Sequence, residues 1–334
     1  MREQFGKTDA GGLFLPSFLE EAGRLQPFVP PFRFSAFFSP EDTLLCVCAS
    51  EAAFTRAKEE SREPTDITRI AELTTGSGLV GMHLLLIDEK CRLLGLDVDQ
   101  RACDIATENA KLLKIDRRAW FECADLWSDS TVATLIAYDP NILICNPPYV
   151  PEPGTNALAL EAGAGQDGTS HLVRTLELVS TIQPQTLALS WCSLSDPAKI
   201  VRAAGEAGYA LDSLFVVAIA DGEYSGSVRE YLRSLPHAYI NEDSKTVATI
   251  GPDGSARFAY LLMAGEFSRI SKSSSVADDA IAVERICARF AAEGLSALVH
   301  PEARIPVKSW ILDRWDELEL RVMLHGRNKM TYIG

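Results

Sequence analysis

The sequence contains no run of apolar residues that is long enough to cross a bilayer without a charged or turn-forming residue. Its first four residues, Met1-Arg2-Glu3-Gln4, do not have the basic-then-apolar order of a secretory signal. We therefore expect a cytoplasmic protein that does not associate with membranes.

Motifs that pair cysteines are also absent. The eight cysteines and five histidines are scattered, no Cys-x-x-Cys pair occurs, and Cys46-x-Cys48 has no second pair to complete a metal-ligand set. Several cysteines, such as Cys145, lie inside apolar runs, where a reduced thiol behaves as a small hydrophobic side chain. We predict buried reduced thiols and no metal site.

Positive charge is scarce. The chain has 32 Lys and Arg against 46 Asp and Glu, which gives a formal net charge of −14 and a pI near 4.9. Proteins that bind nucleic acid usually carry a basic surface, because neutralisation of phosphates dominates their affinity. The acidity counts against a nucleic-acid substrate without excluding one, since net charge says little about local patches.

What the sequence does contain, from residue 69 onward, is a regular alternation of short β-forming apolar runs with segments of helical periodicity. Such an alternation is typical of βαβ units. The predicted strands are residues 69–73, 92–98, 119–124, 141–145 and 186–191, and two later runs, 211–220 and 258–263, can pair antiparallel. The predicted class is a Rossmann-like, mostly parallel sheet with helices on both faces and an antiparallel edge.

The composition divides the chain into three parts. Residues 1–65 form an N-terminal segment that is rich in Phe and Pro and becomes helical from residue 41. Residues 66–270 form the α/β domain, with an insertion at about 221–257. Residues 271–334 form a C-terminal helical extension that starts with a polar linker. In this extension a helix is predicted over 278–293, with Val283, Ile286 and Phe290 as its apolar stripe.

A loop with two glycines follows the first predicted strand. It reads Glu72-Leu73-Thr74-Thr75-Gly76-Ser77-Gly78 and precedes a segment that can form a helix. Glycines allow the backbone to approach a ligand closely, and the start of a helix offers free N–H groups. Taken alone, such a loop is more often a plain tight turn than a cofactor loop.

Acidic residues end the next two predicted strands. Asp97 lies about 20 residues after the loop, where a carboxylate can accept hydrogen bonds from both hydroxyls of a ribose. Asp125 can accept a hydrogen bond from an adenine amino group, with Leu126 or Trp127 against the ring face. For both acids, capping of a turn or helix is the alternative interpretation.

Asn146-Pro147-Pro148-Tyr149 follows the fourth predicted strand, at the carboxyl edge where open α/β sheets bind ligands. The nitrogen of an amide or aryl amine is a poor nucleophile, so a reaction there requires that both N–H groups be held. The Asn146 side-chain oxygen and the Pro147 carbonyl can each accept one N–H, and Tyr149 can lie flat on the planar group. The alternative is a rigid turn, but the preceding loop and acids favour a catalytic motif.

In this order and spacing, the four elements resemble those of Rossmann-like N-methyltransferases that use S-adenosylmethionine. The likeness is greatest to the HemK-type glutamine methyltransferases, which modify the Gln of a Gly-Gly-Gln loop in peptide-chain release factors. It covers roughly residues 38–263. Residues 146–151 match the catalytic signature of that family, 160–168 resemble its downstream loop, and 38–43 resemble the segment that covers the cofactor.

The resemblance implies S-adenosylmethionine as the cofactor. The cofactor contacts that it implies are Thr43, Glu72, Thr74, Gly76, Gly78, Asp97, Asp125, Leu126 and Asn146, and the implied catalytic residues are Asn146, Pro147, Pro148 and Tyr149. Thr74 departs from the pattern, because it stands where these loops usually have their first glycine. The N-terminal segment, the insertion and the extension also lack clear counterparts, and these are the parts where substrate is chosen.

Three functions from different classes follow from the motif and the resemblance. The first is methylation of a protein glutamine, with a release factor as the possible partner. The second is methylation of an exocyclic adenine amine in RNA or DNA, with Tyr149 stacked on a splayed base. The third is a cofactor-binding subunit without activity of its own, which the intact Asn146 and Tyr149 disfavour. A small-molecule amine acceptor stays open, and the sequence does not define the oligomeric state.

Overall fold

The computed structural model describes residues 40–60, 67–154, 157–243, 258–270, 276–299 and 305–310. The predictions for the Phe- and Pro-rich segment before residue 40, the linker at 271–275 and the chain after residue 310 lie outside the described residues. The chain forms two compact units. Of the described residues, the first unit comprises those within 40–146 and 178–189, and the second comprises those within 147–177 and 190–310. The three-part division made from the sequence stays a prediction.

The first unit begins, in its described part, with a long helix and continues with strands and helices in alternation. In chain order these elements are α1 (Pro40–Glu60), β1 (Thr68–Leu73), α2 (Leu79–Ile87), β2 (Cys91–Asp97), α3 (Gln100–Leu112), β3 (Ala119–Cys123), α4 (Asp129–Tyr138) and β4 (Ile142–Cys145). The next two elements, α5 (Ser170–Ile182) and β5 (Thr186–Cys192), contribute residues to both units.

The strands of the first unit are parallel and lie in the order β3-β2-β1-β4-β5. The chain reverses its direction across the sheet after β3. If the crossovers have the usual right-handed sense, α2 and α3 lie on one face of the sheet and α4 lies on the other. The register pairs Leu73 with both Leu96 and Cys145, and Asp97 with Cys123. The residues that follow β1, β2 and β4 therefore meet at one edge of the sheet.

Local sequence explains these elements. The central strands β1 and β4 are almost wholly buried, as expected of parallel strands that are covered on both faces. Helix α3 begins at Asp99, whose side chain accepts a hydrogen bond from the backbone N–H of Arg101. The apolar stripe of α3 faces inward, since Ala102, Ile105, Ala106 and Ala110 are buried.

The second unit contains the other elements. They are α6 (Pro197–Glu206), β6 (Tyr209–Ala220), α7 (Glu223–Ser227), α8 (Arg229–Ser234), β7 (Ala259–Arg269), α9 (Val276–Glu293), α10 (Ser296–Val299) and β8 (Val307–Trp310). Strand β6 pairs antiparallel with β7, as predicted, and parallel with β8, which the sequence did not indicate. Large aromatic side chains fill this core, and the rings of Trp191 and Phe267 lie 6.1 Å apart.

Helix α9 belongs to the packed core of the second unit. It lies against α6 and β6, and its predicted stripe of Val283, Ile286 and Phe290 is buried. The Asn241 side chain donates hydrogen bonds to the carbonyls of Phe290 and Ala291, at 3.2 and 3.0 Å. The Phe290 carbonyl also accepts from the Gly294 N–H at 2.8 Å, so the Asn241 amide adds a second donor there and supplies one to Ala291 in the last turn, where carbonyls lack intrahelical partners.

The predicted class, a Rossmann-like and mostly parallel sheet with helices and an antiparallel edge, is confirmed. All eight cysteines are free thiols. The prediction that the cysteines are buried was wrong for Cys123, which is exposed because it lies on β3, a strand that is mostly open to solvent. Among the described helices, none is both long and apolar enough to span a bilayer.

Candidate functional site

The loop after β1 has an unusual backbone. Gly76 and Gly78 have φ angles of 53° and 76°, in the left-handed region that favours glycine. A Cβ atom at Gly78 would lie 2.6 Å from the terminal methyl of Met82, a flexible group that can move, so the preference for glycine here rests mainly on the backbone conformation. Thr74 also has a positive φ of 53°. The threonine that departs from the family pattern thus adopts the backbone conformation that a glycine would adopt more easily.

Asp97 connects β2 to this loop. Its Oδ2 accepts a hydrogen bond from the Gly76 N–H at 2.8 Å, and its Oδ1 accepts one from the Asp99 N–H at 3.0 Å. Burial raises the pKa of the Asp97 carboxyl, and both backbone hydrogen bonds oppose that rise. The structure therefore places Asp97 where the sequence predicted it, at the glycine loop. A carboxylate has about four acceptor positions, so each oxygen can still accept a ribose hydroxyl.

Glu72 lies under the loop and is 4% exposed. Its Oε2 accepts hydrogen bonds from the Thr75 hydroxyl at 2.8 Å and from the Gly81 N–H at 3.2 Å. Burial raises the pKa of Glu72 to about 8, the hydrogen bonds from Thr75 and Gly81 oppose the rise, and the charge of Asp97 adds to it. These contacts show Glu72 bracing the loop and the start of α2, while a direct cofactor contact stays a prediction.

The turn after β3 presents one acid and one aromatic ring to solvent. The exposed Asp125 accepts a hydrogen bond from the Trp127 N–H at 2.9 Å, so it stabilises a local turn. Leu126 is buried, whereas Trp127 is 53% exposed. Of the two side chains named for the face of an adenine ring, Trp127 is therefore the accessible one. The contacts of Asp125 and Leu126 with a cofactor stay predictions.

Asn146 comes directly after β4, beside the residues that follow β1. Its Nδ2 donates a hydrogen bond to Oδ2 of Asp42, in the first turn of α1, at 2.8 Å. Its Oδ1 is buried and accepts no hydrogen bond from any residue that the structure describes. A buried acceptor without a donor costs about 1–3 kcal/mol. Thr43, the predicted cofactor contact on α1, is half-buried and adjoins Asp42.

The rest of the motif belongs to the second unit, where it pairs with the segment at 160–168. The Val150 N–H donates to the Ala162 carbonyl at 2.9 Å, and the Ala164 N–H donates to the Val150 carbonyl at 3.1 Å. Gly168 has a φ of 72°, and a Cβ atom there would lie 2.5 Å from the Tyr149 carbonyl oxygen. The segment that the resemblance singled out thus shapes the backbone after the motif. Pro147 and Tyr149 are buried and Pro148 is half-buried.

The residues present in the first unit fit a cofactor that carries a ribose. Asp97 retains acceptor capacity at the glycine loop, and Gly76 and Gly78 place no side chain at two positions of that loop. Asn146 adds a buried acceptor with no partner among the described residues. Across all the residues that the structure describes, no group of three or more His, Cys, Asp or Glu side chains is arranged to hold a metal ion.

The structure brings together Asn146, Asp97, the glycine loop and the N-terminal turn of α1, all in the first unit. Sequence reasoning did not assign a role to Asp42. A signal was available, because Asp42 lies in the segment at 38–43 whose resemblance to the family was noted, one residue before Thr43.

Comparisons with known proteins agree with the resemblance over part of the chain. A 93-residue stretch is 36% identical to a release factor glutamine methyltransferase of Rhodospirillum rubrum, which is 28% of this chain and 27% of that protein. A 123-residue stretch is 28% identical to a ribosomal protein uL3 glutamine methyltransferase of Bordetella pertussis, which is 34% of this chain and 40% of that protein. No family model matches the chain.

The resemblance to the release factor glutamine methyltransferases is therefore confirmed for about a third of the chain, and the matching part covers well under two thirds of each relative. Among solved structures, a SAM-dependent methyltransferase from Agrobacterium tumefaciens aligns over 71% of this chain and 66% of its own. It is 14% identical, with a TM-score of 0.41.

Proposed function

We propose that this protein is an S-adenosylmethionine-dependent N-methyltransferase that acts on the side-chain amide of a protein glutamine. The observation that carries the proposal is the Asn146 amide. Its nitrogen is bound by Asp42, and its buried oxygen accepts no hydrogen bond within the described residues. The partial similarity to glutamine methyltransferases supports the same conclusion.

The chain's own residues would hold the substrate. Asn146 Oδ1 accepts one N–H of the substrate NH₂ group, and the carbonyl of Pro147, the next residue in the chain, accepts the other. The two bonds orient the nitrogen and prevent it from rotating. Two such bonds are worth only about 1 kcal/mol each, whereas correct positioning of reactants can lower a barrier by about 7–11 kcal/mol.

Cofactor binding is assigned to the loop after β1 and to the acids at the strand ends. When bound, S-adenosylmethionine would supply an electrophilic methyl group: the bond from that methyl to the sulfonium sulfur would break as its bond to the substrate nitrogen forms, the sulfur would keep the electron pair, and the nitrogen would lose one proton. Asp97 would hold the ribose hydroxyls, and Gly76 and Gly78 would admit the cofactor close to the backbone. Trp127 is the exposed ring that can cover the adenine.

The substrate is tested by methyl transfer from labelled cofactor. We would offer a release-factor domain with its Gly-Gly-Gln loop, a ribosomal protein uL3, and total RNA in separate reactions. Label on a glutamine that disappears with Asn146→Ala supports the proposal. Label on RNA adenine would identify the protein as a base methyltransferase instead. Label on none of the three would contradict glutamine methylation of these two proteins.

Cofactor binding is tested separately with Asp97→Ala. We expect the affinity for S-adenosylmethionine to fall about tenfold or more, measured by calorimetry, because two charge-assisted hydrogen bonds are lost. Asp139→Ala is the matched control, since Asp139 is an exposed acid in the same unit that pairs with Arg69. An unchanged affinity in a folded Asp97→Ala variant would show that Asp97 does not bind the cofactor.

A further inference from the structure

Asp42 and Asn146 are 104 residues apart in the sequence, yet their side chains meet. Asn146 Nδ2 donates to Asp42 Oδ2 at 2.8 Å, and Asp42 is 2% exposed. On the other side of the same amide, Oδ1 is buried and has no donor among the residues that the structure describes. One end of the Asn146 amide is therefore bound by the protein, and the other end is left for a ligand.

The chemistry of the two ends decides which one faces Asp42. The nitrogen of an amide only donates, the oxygen only accepts, and an ionised carboxylate only accepts. If the Asn146 amide were turned by 180°, an amide oxygen would face a carboxylate oxygen, and no hydrogen bond would join them. The pairing with Asp42 thus selects one of two orientations that have nearly the same shape.

Asp42 is itself held in place by its helix. Helix α1 packs against α2 and β4. The Thr186 hydroxyl donates to the Ala53 carbonyl at 3.0 Å, and His83 Nε2 lies 2.5 Å from Oε1 of Glu51. Because these contacts hold the middle of α1 in the first unit, Asp42 cannot follow a rotating amide unless the helix moves.

We infer that Asp42 is a positioning residue that fixes the Asn146 amide so that Oδ1, and not Nδ2, faces the substrate nitrogen. This inference rests on the proposed function, because it gives Oδ1 the task of accepting a substrate N–H. In the opposite orientation Nδ2 would face the substrate NH₂ group, and two donors would meet. Asp42 acts through Asn146 and does not contact the reacting atoms in this role.

The sharpest test is Asp42→Asn in two backgrounds. In the wild-type background, an amide at position 42 can donate or accept, so the selection is lost, and we expect kcat to fall about tenfold through mispositioning. In the Asn146→Asp background, two carboxyl groups face each other and one of them must take up a proton. There, Asp42→Asn supplies an N–H to one oxygen of the carboxylate at position 146 and leaves its other oxygen for the substrate. The kcat should therefore rise about tenfold over that of the Asn146→Asp single variant.

The effect of Asp42→Asn on kcat should have opposite signs in the two backgrounds, and this distinguishes a positioning role of Asp42 from a purely structural one. Loss of structure at position 42 would lower kcat in both backgrounds, and that result would overturn the inference. Asp139→Asn is the matched control, because it also removes one negative charge from the first unit but lies at the exposed end of α4. We expect it to leave kcat and the Kd for S-adenosylmethionine unchanged.

A second measurement does not depend on activity. The side-chain amide resonance of Asn146, assigned by its loss in Asn146→Ala, should shift and exchange faster with solvent in Asp42→Ala. An unchanged resonance would overturn the inference even if the enzyme were active. If the wild-type protein transferred no methyl group to either protein substrate, the proposed function would fail, and the resonance alone would decide whether Asp42 orients the amide.

Discussion

Two asparagines, one in each unit, use the same side chain in different ways. In the second unit, Asn241 donates to the Phe290 and Ala291 carbonyls, and its Oδ1 accepts from the Asp243 N–H at 3.1 Å. In the first unit, Asn146 donates to Asp42, and its buried Oδ1 has no donor within the described residues. Both ends of the Asn241 amide are paired, whereas within the described residues only the nitrogen end of the Asn146 amide is.

The difference distinguishes an amide that stabilises the fold from one that awaits a ligand. A buried amide whose donors and acceptor are all paired contributes to stability, and an unpaired acceptor costs free energy until something binds to it.

The residues with a left-handed backbone conformation differ between the two units in a similar way. Among the described residues, those of the second unit with positive φ are all glycines, whereas the first unit also places threonine, lysine, aspartate and glutamine there. Thr74 is the one at the candidate site.

The largest predicted effects come from replacing each asparagine by alanine. Asn146→Ala should lower kcat by about 100-fold or more, because a positioned acceptor is lost from the site. It should change the unfolding free energy by only about 1 kcal/mol, since losing the bond to Asp42 is offset by removing an unpaired oxygen. Asn241→Ala should have the opposite pattern, with a large effect on stability and a small effect on kcat. It should lower the unfolding free energy by about 2–4 kcal/mol and leave the kcat of folded molecules nearly unchanged.

Urea unfolding and labelled methyl transfer on the same preparations measure both effects. The comparison fails if Asn146→Ala costs as much stability as Asn241→Ala and keeps its turnover. It would be sharpened by Asn241→Asp, which keeps an acceptor for the Asp243 N–H but cannot donate to the carbonyls that end α9.

A smaller effect is expected from pH through Glu72. Its pKa is about 8 in the folded protein, against 4.5 for an ordinary glutamate. Between these values the folded state holds a proton that the unfolded state has lost, so stability falls as the pH rises towards 8. Between pH 6 and pH 8 the loss should be about 2 kcal/mol in the cofactor-free protein.

Glu72→Gln removes the titrating group and keeps an oxygen for the Thr75 and Gly81 donors. Its unfolding free energy should therefore depend less on pH over this range than that of the wild type. Parallel pH dependences for the two proteins would show that Glu72 is ionised in the fold at neutral pH.

Much of the first unit could be predicted from the sequence because its signals are local. Asp97 ends one apolar strand and Asn146 follows another, and parallel strands bring their carboxyl ends to one edge. The contact between Asp42 and Asn146 could not be predicted in this way. It joins residues 104 positions apart and depends on how α1 packs against the sheet, which no periodicity encodes.

In the second unit the same limit applies to the pairing of strands. The antiparallel partners β6 and β7 were predicted as apolar runs, and they form a long ladder. The short strand β8 pairs with β6 through only four residues, starting with Val307 opposite Leu214, and it has too few residues to show an alternation. The exposure of Trp127 beside the buried Leu126 likewise follows from the turn geometry and not from residue type.

The smallest predicted effect concerns the strained backbone of the loop after β1. Thr74 is β-branched and has a φ of 53°, a conformation that costs about 1–3 kcal/mol for such a residue. Thr74→Gly removes this strain but adds about 0.5–1 kcal/mol of conformational entropy to the unfolded chain. The net expectation is a gain in unfolding free energy of about 1 kcal/mol.

The neighbouring threonine provides the control. Thr75 does not have a positive φ, and its hydroxyl donates to Glu72, so Thr75→Gly should destabilise the protein by about 1–2 kcal/mol. Urea unfolding of the two variants should therefore move the midpoint in opposite directions. If Thr74→Gly also lowered the midpoint, the side chain of Thr74 would be contributing more than its backbone costs. Contacts of the Thr74 side chain would then outweigh its backbone strain, and one of them is the approach of its hydroxyl to Cys145 Sγ at 3.8 Å.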